Sequence, residues 1–238
     1  MLTENIHLLR WKQQSIFKQL QIEEALLRAD TRNWCLINEG TPPAIVMGIS
    51  GKEEEHICKH EEEIPLLRRF SGGGTVVVDQ QTLFFTLICN KEAVSIPCFP
   101  EKIMNWMKTL FAPAFPGLPF DLKENDFVLG ERKFGGCAQH ISKDRFAFHT
   151  SFLWDFSQEK MDLLKIPPKM PKYRQERPHD KFLCRLSTYF PHKESIIDPF
   201  LLELGQIFSI CEAKEESALS LLEVPHRKVT REEKRDHR

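Results

Sequence analysis

Long apolar stretches are absent from this chain: no run approaches the ~20 residues a bilayer-spanning helix needs. Net charge is also missing. Lys and Arg number 33 and Asp and Glu 34, a formal balance of −1, so no overall field draws the chain to nucleic acid or an anionic membrane, and neither is expected as a partner. There is no CxxC pair. The seven cysteines (35, 58, 89, 98, 137, 184 and 211) are odd in number, and most lie in apolar contexts; that pattern implies buried thiols in a reducing compartment, not a disulfide frame. The start, Met1-Leu2-Thr3-Glu4-Asn5, has neither a basic n-region nor an Arg-rich targeting composition, so the expected location is cytoplasmic. His56-Ile57-Cys58-Lys59-His60 has metal-like residue types but no matching second half. Structural zinc usually takes four ligands, so this segment reads as solvated. No internal repeat and no heptad seam is visible.

What is present suits one folded unit. With 238 residues, 41% hydrophobic and 28% charged, the chain can bury a core without metals or disulfides. Helical spacing marks 15–29 and 101–111, and the apolar run 200–212 reads as a final helix. A polar helix is expected over 52–62 and a short one over 161–166. Strands are expected at 34–38, 44–49, 64–69, 75–79 and 83–89, the last two paired across Asp79-Gln80-Gln81. A hairpin follows around Gly130-Glu131, and 146–154 reads as one extended segment. Residues 167–178, rich in proline and basic residues, read as an exposed connection. Residues after Val224 are almost all charged or His and read as disordered. Strands and helices mix without strict βαβ alternation, so the expected class is α+β, with a mixed, mainly antiparallel sheet flanked by helices.

Two segments carry chemistry. In Arg68-Arg69-Phe70-Ser71-Gly72-Gly73-Gly74-Thr75-Val76-Val77-Val78 two cations precede three glycines and a β-branched run. Glycine lets a ligand lie against bare main chain, successive N–H groups form an anion-binding nest, and arginine adds forked donors for phosphate or carboxylate. A tight turn flanked by surface arginines is the plain alternative. The second segment runs from Asn125-Asp126 through Gly130-Glu131-Arg132-Lys133-Phe134-Gly135-Gly136-Cys137-Ala138-Gln139. Lys133 suits a point cation on a phosphate or carboxylate. Asn125 and Asp126 offer hard oxygens suited to Mg²⁺, or else an Asx turn.

With His149-Thr150-Ser151-x-Leu153, these segments stand in an order that resembles the lipoate–protein ligase A family, within the biotin/lipoate ligase and octanoyltransferase group. The resemblance runs from Gln19-Leu20-Gln21-Ile22-Glu23-Glu24 to about Arg185. Phe152-Leu153-Trp154-Asp155 and Pro171-x-Tyr173-Arg174-x-x-Arg177-x-His179 resemble its plant and chlamydia-like branch. The resemblance implies a catalytic domain over 1–190, a C-terminal helical extension over 191–224 and a charged tail over 225–238. It implies ATP, Mg²⁺ and lipoate (or octanoate), an acyl-AMP intermediate, and acyl transfer to a lysine on lipoyl domains of 2-oxoacid dehydrogenase E2 subunits or the glycine cleavage H protein, by a monomer. By position, Arg69 and the main chain of Gly74, Thr75, Val76 and Val77 would hold the nucleotide. Lys133 would bridge the lipoate carbonyl and the α-phosphate as the catalytic residue. Ser71, Gly72, Gly73, Gly136, Ala138 and His149 would line the lipoate site, with Asn125 and Asp126 near Mg²⁺. The apolar 45–47 and 84–85 could line an acyl slot or be ordinary core.

The chain departs from the family pattern at three points. Val78-Asp79 replaces His-Asp, Thr150 replaces a glycine after His149, and too little chain follows Phe190 for the accessory domain of long members. The last point leaves autonomous adenylation open. A rival reading is octanoyl transfer without ATP. It would need a cysteine thiolate, yet 111–123 contains no cysteine, which leaves Cys137 beside Lys133 as either nucleophile or filler. A second rival is a non-catalytic binder of the adenylate that works with an accessory chain.

Overall fold

The computed structural model describes residues 4–58, 63–166 and 170–233. Its strands are β1 (Asn5–Lys12), β2 (Asn33–Glu39), β3 (Ala44–Met47), β4 (Leu66–Arg68), β5 (Val76–Val78), β6 (Thr82–Asn90), β7 (Phe120–Lys123), β8 (Asp126–Leu129), β9 (Arg132–Ile141), β10 (Arg145–Leu153), β11 (Ser209–Glu212) and β12 (Arg231–Glu232). Its helices are α1 (Ile16–Ala29), α2 (Glu53–His56), α3 (Pro100–Phe111), α4 (Gln158–Met161), α5 (His179–Phe182), α6 (Glu194–Gly205) and α7 (Glu215–Leu219). The large sheet has the order β11-β1-β2-β6-β10-β9-β8-β7 and the small one β12-β4-β3-β5. β1 runs parallel to both β11 and β2, and from β2 onward the large sheet is antiparallel. The expected α+β class, with a mixed and mainly antiparallel sheet, is what the chain forms.

Side chains alternate across a strand, and β2 shows how this sheet is covered. Cys35 and Ile37 face one core with α3 and α6, while Trp34 and Leu36 face another with α1 and α7. Both faces are buried, so β2 carries no polar alternation. The first core is aromatic: Phe111 stacks on Phe200 at 4.6 Å and meets Phe85 edge-on at 5.0 Å. In the small sheet, Ala44 and Val46 pack toward Ile16 and Leu20 of α1, and Ile45 and Met47 pack toward Ile57 and Leu163. Residues 45–47 and 84–85 are therefore core.

Several expectations are corrected. β5 and β6 do not pair with each other. Thr82 N donates to Asp79 O at 3.0 Å, and across this turn the chain passes from the small sheet to the large one. β1 was not anticipated. The helix expected over 52–62 is confined to Glu53–His56 in its described part; 59–62, including His60 of the metal-like segment, lie outside the described residues. The helix expected at 161–166 lies earlier, at Gln158–Met161, and Leu164 bridges Ile57. The helix expected over 200–212 lies at Glu194–Gly205, because Ser209–Glu212 extends beside β1, and it is not the last, since α7 follows.

The two segments read as exposed or disordered are partly packed. Within 170–178, Arg174 is buried against Phe182. Arg231 and Glu232 pair with β4, Arg68 bonds Glu233, and Glu24 accepts the N–H groups of Val229 and Thr230. Residues 234–238 lie outside the described residues. Main-chain pairing, the buried Glu24 carboxylate, the Arg68–Glu233 ion pair and the partly buried Val229 hold this segment. No described helix is long and apolar enough to cross a membrane.

Candidate functional site

The glycine segment joins β4 to β5 and is organised by its own arginine. Arg69 is buried. Its guanidinium donates to Ser71 Oγ at 3.1 Å, Gly72 O at 2.7 Å, Gly74 O at 2.9 Å and Val46 O at 3.4 Å. Burial pulls its pKa down to about 10, with Glu23 acting in the opposite direction. These bonds turn the loop carbonyls inward, and Gly73 takes φ +101, which disfavours a side chain. The opposite polarity is left free. No described residue accepts a hydrogen bond from the N–H groups of Gly72, Gly73 or Gly74, and Thr75 Oγ1 is buried without a partner. Buried polar groups are nearly always paired, so an orphaned hydroxyl beside three open amides marks a place for an acceptor-rich ligand. β5 is the edge strand of its sheet, and the register turns Val76 toward β3, so Val77 presents the outward, unpaired main chain.

Lys133 comes from the β8–β9 hairpin. Its Nζ lies 2.8 Å from Asp126 Oδ1, and the other oxygen of that buried carboxylate accepts from Tyr173 Oη at 2.8 Å. Burial and Asp126 both push the Tyr173 pKa up, so the phenol stays a donor. A Cβ at Gly136 would stand 3.2 Å from Lys133 Nζ, so the bare glycine makes room for the ammonium. The cradle meets this strand a little further on: a Cβ at Gly73 would lie 3.6 Å from Ala138 Cβ and 3.9 Å from Cys137 O. The glycine loop and the lysine therefore share one stretch of β9. Asn125 is exposed at the β7–β8 turn, where its carbonyl accepts from Cys137 N at 3.0 Å. Both Asp126 oxygens are engaged, and no group of three His, Cys, Asp or Glu is gathered among the described residues. A metal arriving with a nucleotide would compete with Lys133 for Asp126.

His149, on β10, bonds Ser71 Oγ through Nε2 at 2.7 Å and Glu23 Oε2 through Nδ1 at 2.8 Å. Sequence reasoning placed Ser71 and His149 in the site and missed Glu23 and Tyr173. The available signal was a carboxylate on the apolar face of α1, where Glu23 and Glu24 are both buried. Thr150, the residue in place of glycine, donates to Gly136 O at 3.0 Å in ordinary strand geometry. Burial pushes the Cys137 thiol up, so it is not a thiolate near neutral pH.

Fold and site together define a mixed-sheet α+β domain in which open main-chain amides and a lysine share one stretch of β9, an arrangement suited to an anionic group. Residues 15–200 match the family described as the Lipoyl protein ligase A/B catalytic domain, and the chain belongs to that family. One relative is the Inactive lipoate–protein ligase 2 of Plasmodium falciparum, 26% identical over 71% of this chain and 60% of its own length; the chain thus spans well under two thirds of that protein. Among solved structures, lipoate–protein ligase A bound with ATP superposes with TM-score 0.73 at 16% identity, covering 93% of each chain. The bi-partite lipoate protein ligase of Thermoplasma acidophilum, described with its E2 lipoyl domain, superposes with TM-score 0.68 at 17% identity, covering 93% of this chain and 91% of that one.

Proposed function

We propose that this chain condenses lipoate, or octanoate, with ATP to acyl-AMP and passes the acyl group to a lysine ε-amine on a lipoyl carrier domain. The observation that carries this reading is the set of unused donors at Gly72–Gly74 with the orphaned Thr75 Oγ1, set over the strand that presents Lys133. In the first half-reaction the acid's carboxylate attacks the α-phosphorus and pyrophosphate leaves. Negative charge grows on phosphoryl oxygens, where preorganised amides and an ammonium lower the barrier. Lys133 reaches the mixed anhydride by exchanging Asp126 for the acyl carbonyl and α-phosphate oxygens. In the second half-reaction the carrier amine attacks the acyl carbon and AMP leaves. Asn125 and Asp126 would be the residues to hold a Mg²⁺ accompanying the nucleotide, which would supply further neutralisation of phosphate charge.

A second reading keeps the transfer and drops the activation: the chain takes preformed acyl-AMP. A relative named inactive favours it. Thioester transfer through Cys137 is disfavoured by the raised thiol. Incubating the protein with Mg-ATP, lipoate and a lipoyl domain, while following pyrophosphate release and carrier mass, separates these readings. Pyrophosphate and acylated carrier together support the full reaction. Acylation only from supplied acyl-AMP supports the second reading. Neither product, from either donor, rejects both.

A further inference from the structure

The glycine cradle rests on a second turn. Between β3 and α2, Gly48-Ile49-Ser50-Gly51 closes through Gly51 N to Gly48 O at 3.0 Å. Ile49 N donates to Ser71 O and Arg69 N donates to Met47 O, each at 2.9 Å. Contact is tightest at Gly48, where a Cβ would stand 2.2 Å from Gly73 O and 3.3 Å from Gly72 C. Main chain therefore lies on main chain, and a shift of the 48–51 turn displaces the backbone that carries the open amides of Gly72–Gly74.

One guanidinium gathers the carbonyls of this turn. Arg68 Nη1 donates to Gly48 O at 3.2 Å, Ile49 O at 3.1 Å and Gly51 O at 2.7 Å. Its Nε pairs with Glu233 Oε1, which also accepts from Arg231 Nη2 at 3.2 Å. The Arg68 and Glu233 side chains are only 14% and 21% exposed, so salt screens this pair less than a surface one. Glu233 is itself placed by main chain. Its N–H donates to Leu66 O at 2.8 Å, and Arg231 and Glu232 of β12 pair with Arg68 and Leu67. A partner on Nε fixes the plane of the guanidinium fork, and that plane aims Nη1 at the turn. A path of direct contacts thus runs from β12 through Arg68 and the 48–51 turn to the cradle.

We infer that Arg68 and Glu233 are positioning residues for the ligand held in the cradle, and that docking of β12 and occupancy of the cradle reinforce each other, an inference that takes the ligand's identity from the adenylate reading above. Arg68 holds the turn, and Glu233 holds Arg68; both act through the backbone of Gly72–Gly74. Such coupling is reciprocal. If docked β12 raises the affinity of the cradle, a bound ligand tightens β12 by the same factor. Only two residues form β12, so its attachment has room to be strengthened.

Two measurements on the full chain test this coupling. The first needs no ligand: Glu233→Ala and Arg68→Ala are expected to speed amide exchange at Ile49 and Arg69 by about 10-fold, with protection of β2, β6 and β10 unchanged. The second uses a non-hydrolysable acyl-sulfamoyl analogue of octanoyl-AMP. In the natural sequence the bound analogue is expected to slow exchange of the Glu233 N–H by about 10-fold, a response that a merely structural strand would not give. Each variant is expected to weaken the analogue by about 10-fold. The double variant should lose no more than Arg68→Ala alone, because Glu233 acts through Arg68. Unchanged exchange at Ile49 in the variants, a Glu233 N–H indifferent to the bound analogue, or additive losses in the double variant would overturn the coupling. Failure of the analogue to bind the natural sequence, with the exchange effects of the first measurement present, would remove the adenylate reading and leave the bracing of the cradle by Arg68 standing.

Discussion

Lys133 does two jobs that a pair of variants can separate. Its ammonium neutralises a buried carboxylate in the resting site, and the proposed chemistry needs the same charge on the acyl phosphate. Lys133→Met is expected to lower carrier acylation by ~100-fold, the usual cost of one preorganised donor. It should also lower unfolding stability by about 2 kcal/mol, because Asp126 is left buried with only the Tyr173 hydroxyl. Adding Asp126→Asn removes the stranded charge, so the double variant is expected to regain most of the melting temperature and none of the activity. Recovery of activity would show that the lysine is structural. At this scale the sequence was readable where chemistry depends on residue type within a short span. The glycine run and Lys133 stood out by residue type, whereas His149 entered only through the family resemblance. Glu23 did not stand out, because its partners His149 and Thr86 come from distant segments and only folding joins them. Arg69 was legible as a cation, yet its bonds go to loop carbonyls, a use that no local pattern shows.

Among the elements, the least anticipated is the short strand β12. It is held by main-chain pairing to β4 and by Glu24, which accepts from Val229 N at 3.0 Å and Thr230 N at 2.8 Å and also binds Arg28 Nε at 3.0 Å. Glu24→Ala leaves those N–H groups without an acceptor at a buried seam, a loss of about 1–3 kcal/mol. The expected outcome is fast amide exchange across 229–233, with protection of β2, β6 and β10 unchanged. Unchanged protection at 229–233 would refute the role given to Glu24. A composition of charge and histidine reads as disorder because it has few apolar anchors, whereas this segment is fixed largely through backbone groups that every sequence possesses, with Val229 and the Arg68–Glu233 pair adding to them. Helices α1 and α3 were legible from their periodicity. The partnership of β5 and β6 was not, since two strands flanking a tight turn suggest a hairpin unless each has a better partner elsewhere. Here β3 takes one, while β2 and β10 take the other.

For the molecule as a whole, stability in mild acid depends on histidines that folding makes reluctant to ionise. His7, His140 and His179 all titrate below the ordinary 6.5. Burial is the main cause for each, followed by the charge of an arginine: Arg32 for His7, Arg28 for His140 and Arg174 for His179. A lowered folded pKa means that the unfolded chain binds more protons once pH drops below 6.5, so stability is complete above that value and falls as pH descends through the folded values. Carboxylates act in a separate, lower window. At Asp121 the Lys108 hydrogen bond leads; at Asp30 burial raises the pKa, but bonds from Trp34, Thr31 and Arg32 outweigh it. Both carboxylates titrate below the ordinary 3.8, and their contribution is lost only as pH falls beneath it. The urea midpoint is therefore expected to decline in two stages, first below pH 6.5 and again below 3.8. His140→Gln with His179→Gln should flatten the first stage and leave the second in place, because neither substitution touches Asp30 or Asp121. A midpoint that stays level through the first window in the natural sequence would show that these imidazoles ionise as freely in the fold as in the open chain.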